Sequence, residues 1–366
     1  MQMQAAVLNA PNTPLTIETV TLDDPAPGEV RVKIAASGVC HSDYHLMTGD
    51  TQHPLPAILG HEGAGVVDAI GDGVTGLVPG DHVSLNWTPD CGHCFYCLNS
   101  QPNLCDTYTG PIWDGVMLDG TSRVHRGDAD VYLYCGLGTF AEYVNVAAQS
   151  CVKIRPDVPL QVAALIGCAV ATGVGATLYT SPVTPGQSVA VFGCGGIGLN
   201  ILQGAALSGA DTIIAVDTNA PKLEIATQFG ATHAVIAGED ALAQIQALTG
   251  GRGADHVFEA VGLPAVQEDA LAAVRPGGTL TLVGLAPMGT GTNLPGALLT
   301  RQEKTVKGSY YGSIQAKRDF PKFLDLYMAG KLKLDELISQ EYRLDEINTA
   351  FERMLSGEVA RGVIVF

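Results

Sequence analysis

Val189-Ala190-Val191-Phe192-Gly193-Cys194-Gly195-Gly196-Ile197-Gly198 decides how this chain folds. Four apolar residues, two of them β-branched, read as a short buried strand, and the Gly-x-Gly-x-x-Gly run that follows opens an apolar helix through about Ser208. In such a strand–turn–helix, Gly193 makes the tight turn and Gly195, beside Gly196, lets backbone approach a pyrophosphate. Gly198 lets helix and sheet pack closely, and the helix N-terminus offers free N–H donors to the anion.

A glycine motif is weak evidence alone in a chain with 44 glycines; Asp217 strengthens it. It ends the next strand, Thr212-Ile213-Ile214-Ala215-Val216, 19 residues after Gly198, where a carboxylate accepts hydrogen bonds from the ribose hydroxyls. That carboxylate repels a 2′-phosphate, and Thr218-Asn219-Ala220 brings no Arg to hold one, so NAD is expected over NADP.

Working outward, a helix from Lys222 to Phe229 and strands near His233–Ile236, His256–Glu259 and Thr279–Val283 continue the alternation. Strand alternating with helix predicts a parallel, doubly wound α/β sheet. From Met1 to about Val152 the pattern differs: short β-rich runs such as Glu29–Ile34 and Gly65–Ile70 lie between dense Gly and Pro turns. This predicts an irregular, antiparallel domain that carries its sites on loops. From about Tyr311 the tail returns to mixed structure and ends in the strand Gly362–Phe366.

At 366 residues two domains are expected, and 46% hydrophobic against 16% charged residues suits large cores. With 20 Lys+Arg and 37 Asp+Glu the formal net charge is −17, which opposes binding to nucleic acid or to an anionic membrane. The N-terminus lacks a secretory pattern, and the apolar stretches read as short and broken by Gly, so no membrane span is expected. Nine cysteines without an export signal point to a reducing, cytoplasmic setting in which clustered thiols bind metal.

Cys91-x2-Cys94-x2-Cys97-x7-Cys105 puts four thiols within fifteen residues. Four soft ligands on a short loop suit a closed, tetrahedral, structural Zn²⁺. An iron–sulfur cluster is the rival, but the fourth Cys lies seven residues on and is followed by Asp106, not Pro. A second set, Cys40, His61 with adjacent Glu62, and Cys168, is scattered. A single Cys is usually a small buried hydrophobe, and spacing does not decide among these readings. Together, two Cys and one His would make a zinc site with an open fourth position, and Asp43 is a candidate carboxylate partner for His61.

At these residues the chain resembles the zinc-containing medium-chain alcohol dehydrogenases. Gly60-His61-Glu62-Gly63-Ala64-Gly65, continuing to Gly71 and Val74, follows the family signature. Gly38-Val39-Cys40-His41-Ser42-Asp43 and Gly167-Cys168-Ala169-Val170-Ala171-Thr172-Gly173 match two zinc-ligand segments. The resemblance runs to Arg361-Gly362 and implies a GroES-like catalytic domain from 1–170 and 311–366, with a Rossmann NAD domain at 171–310. It implies catalytic zinc on Cys40, His61 and Cys168, with Glu62 behind it as an electrostatic modulator. Two Zn²⁺ per chain follow.

By the same match, Ser42 hydrogen-bonds the alcohol oxygen and His45 relays its proton. Thr172 touches the nicotinamide side, Lys222 the adenosine ribose, and His41 and Arg361 the pyrophosphate. Many relatives place Arg at His41; one imidazole donor in place of a fork implies looser, more pH-sensitive cofactor binding. Trp87, Tyr134, Cys135, Leu285 and Tyr310 line the substrate pocket, which suits apolar or aromatic alcohols, primary or secondary. A glutathione-dependent formaldehyde dehydrogenase is the alternative within the fold, disfavoured by the short Met47–Pro54 segment. A non-catalytic zinc-binding relative is the alternative of another class. The length of the 118–140 loop implies a homodimer ahead of a tetramer.

Overall fold

The computed structural model describes residues 1–357 and 360–366. The chain forms two compact units: Met1–Cys168 with Gln315–Phe366, and Ala169–Ile314. The boundaries lie a few residues outside the expected 171–310. Gly312 explains the shift: at φ 63° it packs so closely on Ala171 and Gly175 that a Cβ there would lie 2.5 Å from the Ala171 carbonyl. The two ends of the inserted segment are therefore held to each other.

The inserted unit is a six-stranded parallel sheet: β1 (Ser188–Phe192), β2 (Thr212–Asp217), β3 (His233–Ile236), β4 (Ala254–Glu259), β5 (Val274–Leu282) and β6 (Thr305–Gly308). Their spatial order is β3-β2-β1-β4-β5-β6, that of dinucleotide-binding sheets, with every neighbouring pair parallel. Ala190, Phe192, Ile214, Val216, Val257 and Leu280 pack with Ile245 and Leu271 from the covering helices. Each fully buried side chain of this size contributes about 1.5–3 kcal/mol. The order reverses beside β1, and the glycine turn sits at that C-terminal edge.

The other unit holds a closed barrel and a seven-stranded sheet. In the barrel, Gln2–Leu8, Thr16–Leu22, Val124–Arg126, Ala129–Leu133 and Ala57–Ile58 follow one another around the ring. The antiparallel expectation for residues 1–152 is corrected at one pair, and the mixed tail adds a second parallel pair. Ala57–Ile58 runs parallel to Ala129–Leu133, and Ile338–Tyr342 runs parallel to Arg361–Val365. Both pairs are joined by connections long enough for a crossover, which a parallel pair requires.

The seven-stranded sheet centres on Glu29–Gly38, which pairs with Glu62–Ile70 on one side and Arg361–Val365 on the other. The register sets Gly38 opposite both Glu62 and Val363. One end of the sheet therefore gathers Gly38, Glu62 and the start of the last strand, and Cys40 and His61 leave the sheet side by side. A second correction concerns Leu160–Thr180, a 21-residue helical run apolar and long enough to cross a membrane, 89% of whose most apolar window is buried inside the protein. It is a core helix with two π-type turns, Ile166–Val170 and Ala176–Thr180. Its glycines hide helix continuity in the sequence, because Gly167 and Gly173 serve close packing in place of chain breaking: a Cβ at Gly167 would lie 2.8 Å from the Leu85 carbonyl.

Candidate metal centres and dinucleotide loop

Cys40 leaves the central strand and caps the helix His41–Thr48, whose third residue is Asp43. Asp43 is fully buried and spends its carboxylate on three donors. Oδ2 accepts the Cys40 N–H at 3.3 Å, and Oδ1 accepts the Gly60 N–H at 2.9 Å and His61 Nδ1 at 3.1 Å. With Nδ1–H directed at Asp43, Nε2 of His61 is the free ligand atom. The helix cap thus also sets the imidazole tautomer. Gly60, at φ +92°, allows the turn into His61 where a side chain would strike Thr139 and Phe140.

Cys168, in the first π-type turn of the apolar helix, completes the group. Donor atoms of Cys40, His61, Glu62 and Cys168 all lie within 4.8 Å of one another, and all four residues are buried. The hydrogen bond from Cys168 holds the Cys40 thiol low, aided by Arg361 and His61, and the same bond with burial pushes Cys168 up. A bound cation displaces thiol protons and takes the sulfurs as ligands.

Glu62 lies behind them. Gly38 makes room for it, since a Cβ there would meet Glu62 Oε2. Burial pushes the Glu62 carboxyl up to about 8, against the pull of Arg361. Among the described residues neither carboxylate oxygen has a hydrogen-bond partner, and Arg361 Nη2 stands 3.4 Å from Oε1. A buried carboxylate in this condition fits a site that carries positive charge. Arg361, which the resemblance assigned to a pyrophosphate, is 5% exposed; it spends Nη1 on the Val39 carbonyl and Nη2 on Glu62.

Two rings flank His61 edge to face: Tyr134 with centroids 5.6 Å apart and Trp87 at 6.4 Å. The Tyr134 hydroxyl donates to the Ser42 carbonyl at 3.2 Å, and Ser42 Oγ lies 3.8 Å from the Cys40 sulfur. Cys135 is buried beside Tyr134 in a left-handed backbone conformation at φ 55°, with its thiol pushed up to about 12 by burial. His45 sits in the last turn of the helix that Cys40 caps, its Nδ1 3.4 Å from Asp50 of the surface turn. Of the five residues expected to line a pocket, Leu285 and Tyr310 are exposed in the inserted unit, whereas Trp87, Tyr134 and Cys135 are buried together in the other.

The four-cysteine loop is a second compact group. Cys91 and Cys97 sulfurs are 3.9 Å apart, as are those of Cys94 and Cys105. A tetrahedral ion with metal–sulfur bonds of about 2.3 Å has sulfur–sulfur edges of about 3.8 Å. A cluster of several irons would need wider spacing. Backbone N–H groups of His93 and Cys94 point at the Cys91 sulfur, and the Thr107 hydroxyl with these donors lowers its thiol to about 6.

In the inserted unit, Gly193 turns at φ +94°, and a Cβ on Gly198 would collide with the Gly193 carbonyl. A Cβ on Gly195 would meet nothing within 4 Å, so the space above the turn is open, as a phosphate cradle requires. Gly196 starts the helix Gly196–Leu207. Asp217 at the end of β2 accepts the Cys194 N–H at 2.8 Å and the Asn219 N–H at 2.9 Å, which ties it to the glycine turn. Lys222 is half-buried in the helix Ala220–Gln228, Thr172 is buried, and His41 is exposed at the first position of its helix.

Sequence reasoning missed Trp113, whose ring lies 6.4 Å from Trp87 and 6.3 Å from Tyr134. The available signal was rarity: the chain has 2 tryptophans, and both stand here.

Known proteins agree along the whole chain. A family model described as "Alcohol dehydrogenase GroES-like domain" matches residues 26–156, and one described as "Zinc-binding dehydrogenase" matches 196–329. The chain is 43% identical over 368 residues to an NDMA-dependent alcohol dehydrogenase of Amycolatopsis methanolica, with 100% of this chain and 99% of that one covered. It is 41% identical over 371 residues to an S-(hydroxymethyl)glutathione dehydrogenase of Saccharomyces cerevisiae, with 98% and 95% covered. Among solved structures, the benzyl alcohol dehydrogenase of Acinetobacter calcoaceticus superposes with a TM-score of 0.95 at 32% identity, covering 100% of this chain and 99% of that one. Similarity that spans both units and both domain signatures places the chain in the zinc-containing medium-chain alcohol dehydrogenase family, whose members are oxidoreductases.

Proposed function

We propose that this chain is an NAD-linked alcohol dehydrogenase acting on apolar or aromatic alcohols, with one catalytic and one structural zinc. The buried group of Cys40, His61, Glu62 and Cys168 carries the reading, because its donors converge within 4.8 Å beside an aromatic wall. Cys40, His61 and Cys168 are the ligands, and Cys91, Cys94, Cys97 and Cys105 hold the second ion. Bound zinc supplies a Lewis acid that lowers the pKa of an alcohol, and bound NAD supplies the hydride acceptor.

The chain's own residues do the rest. Asp43 fixes the His61 ring, and Glu62 with Arg361 sets the charge behind the site. Ser42, its backbone pinned by Tyr134, would hydrogen-bond the alcohol oxygen and accept its proton at Oγ while giving up its own hydroxyl proton, which His45, held beside Asp50, would relay toward water. In the inserted unit, Gly193, Gly195, Gly196 and Gly198 shape the pyrophosphate cradle. Asp217 holds the ribose, and Lys222 and Thr172 flank the dinucleotide.

NADH formation across a panel of alcohols, with and without glutathione, tests the reading. Turnover of benzyl alcohol without glutathione is the expected result. An absolute need for glutathione would favour the activity named for the yeast relative. Turnover seen only with NDMA present would replace free NAD as the final acceptor, and no turnover of any alcohol would leave a zinc-binding structural protein.

A further inference from the structure

Four rings form a closed circuit in the catalytic unit. His61 touches Tyr134 (5.6 Å), Tyr134 touches Trp113 (6.3 Å), Trp113 touches Trp87 (6.4 Å), and Trp87 returns to His61 (6.4 Å). Three contacts are edge-on and one is tilted, the geometries that aromatic quadrupoles favour. His61, Tyr134 and Trp87 are 2%, 2% and 9% exposed, so most of their surface is already covered. Trp113 alone of the four keeps intermediate exposure. It is the ring of this wall with surface left to offer.

Its placement is built, not incidental. Trp113 is the penultimate residue of the helix Asp106–Asp114, which begins directly after the metal-binding Cys105 and packs through Tyr108 and Ile112 against the four-cysteine group. Gly115 ends the helix at φ 69°, pressed so tightly on His53 that a Cβ would lie 2.7 Å from its ring. One end of the helix is fixed by the thiol cluster and the other by His53.

Resting on the activity proposed above, we propose that Trp113 is a specificity-determining residue that selects alcohols carrying a flat aryl group. The alcohol oxygen lies toward the His61 side of the circuit and the aryl ring packs on the free surface of Trp113. Both tryptophans of the chain are in the circuit, so intrinsic fluorescence reports on it without turnover.

The experiment compares wild type, Trp113→Ala and Trp113→Phe in KM and kcat for benzyl alcohol and ethanol. Tryptophan emission is titrated with each alcohol in the zinc-loaded protein. Trp113→Ala is expected to raise the KM for benzyl alcohol about tenfold, an aromatic contact's worth of affinity, while the ethanol KM stays within about twofold. Trp113→Phe keeps a ring and is expected to restore most of the difference. Wild-type emission should respond saturably to benzyl alcohol and not to ethanol. Equal KM changes for the two alcohols, or none in Trp113→Ala, overturn the proposal while leaving the alcohol dehydrogenase reading intact. Saturable emission changes in a protein that oxidises no alcohol would instead overturn that reading and keep the aryl-binding wall.

Discussion

Asp217 shows how much one carboxylate decides. Its two oxygens already accept the backbone N–H groups of Cys194 and Asn219, so the group proposed to hold the ribose also braces the glycine turn. Removing it therefore mixes two effects, and a pair of variants separates them. Asp217→Asn keeps one backbone acceptor and removes the charge that repels a 2′-phosphate, so NADP should gain. Asp217→Gly loses both, and a hydrogen bond to a charged group is worth about 1.5–3 kcal/mol, so NAD should weaken about tenfold or more. Cofactor KM values for NAD and NADP check this; an unchanged preference in both variants would locate the selectivity elsewhere.

At the scale of an element, the four-cysteine loop cannot hold itself. Of its fifteen residues only Asn103 and Cys105 are buried. Ordering the fifteen residues from Cys91 to Cys105 costs about 1–2 kcal/mol apiece. A bound ion must supply the difference, as it does in small zinc modules. Cys97→Ser should lower the zinc content from two ions per chain to one and redden tryptophan emission, because Trp113 packs on this cluster and would gain solvent. Elemental analysis and emission spectra measure both, and a variant that keeps two zincs and an unaltered spectrum would show that the loop is held another way. Gly198 makes the matching point for the dinucleotide helix. Alanine gains at most about 1 kcal/mol of helix propensity over glycine, but here its Cβ would collide with the Gly193 carbonyl, and backbone cannot yield as a side chain can.

Across the molecule, the excess of acidic groups makes low pH the informative stress. Asp255, at the start of β4, is held down to about 2: burial opposes its charge, but Ser188 N–H and Oγ at 2.8 and 2.6 Å and Arg275 at 2.6 Å outweigh it. A depressed carboxylate contributes stability above its ordinary value of 3.8 and loses it as pH falls toward about 2. Asp255→Asn should therefore lower the urea midpoint at pH 7 and differ little from wild type near pH 2. A gap of equal size at both pH values would mean that packing, not charge, is at work.

Local chemistry wrote much of this protein into its sequence. The strand–glycine–helix turn, Asp217 at the next strand end and the four closely spaced cysteines each depend on neighbours within about twenty residues, so backbone geometry and ligand spacing suffice to read them. The scattered Cys40, His61, Glu62 and Cys168 matched a family pattern, but their spacing alone could not say whether they meet. The register that sets Gly38 opposite Glu62 and Val363 brings three of them together, and a π-type turn in a buried helix supplies the fourth. The contact of Arg361 with Glu62 was not legible, and for Trp113 the rarity of tryptophan marked the residue but not its place between Trp87 and Tyr134. Both depend on side chains from distant elements filling one space, and close packing of a core is decided by three-dimensional fit, which no local pattern encodes.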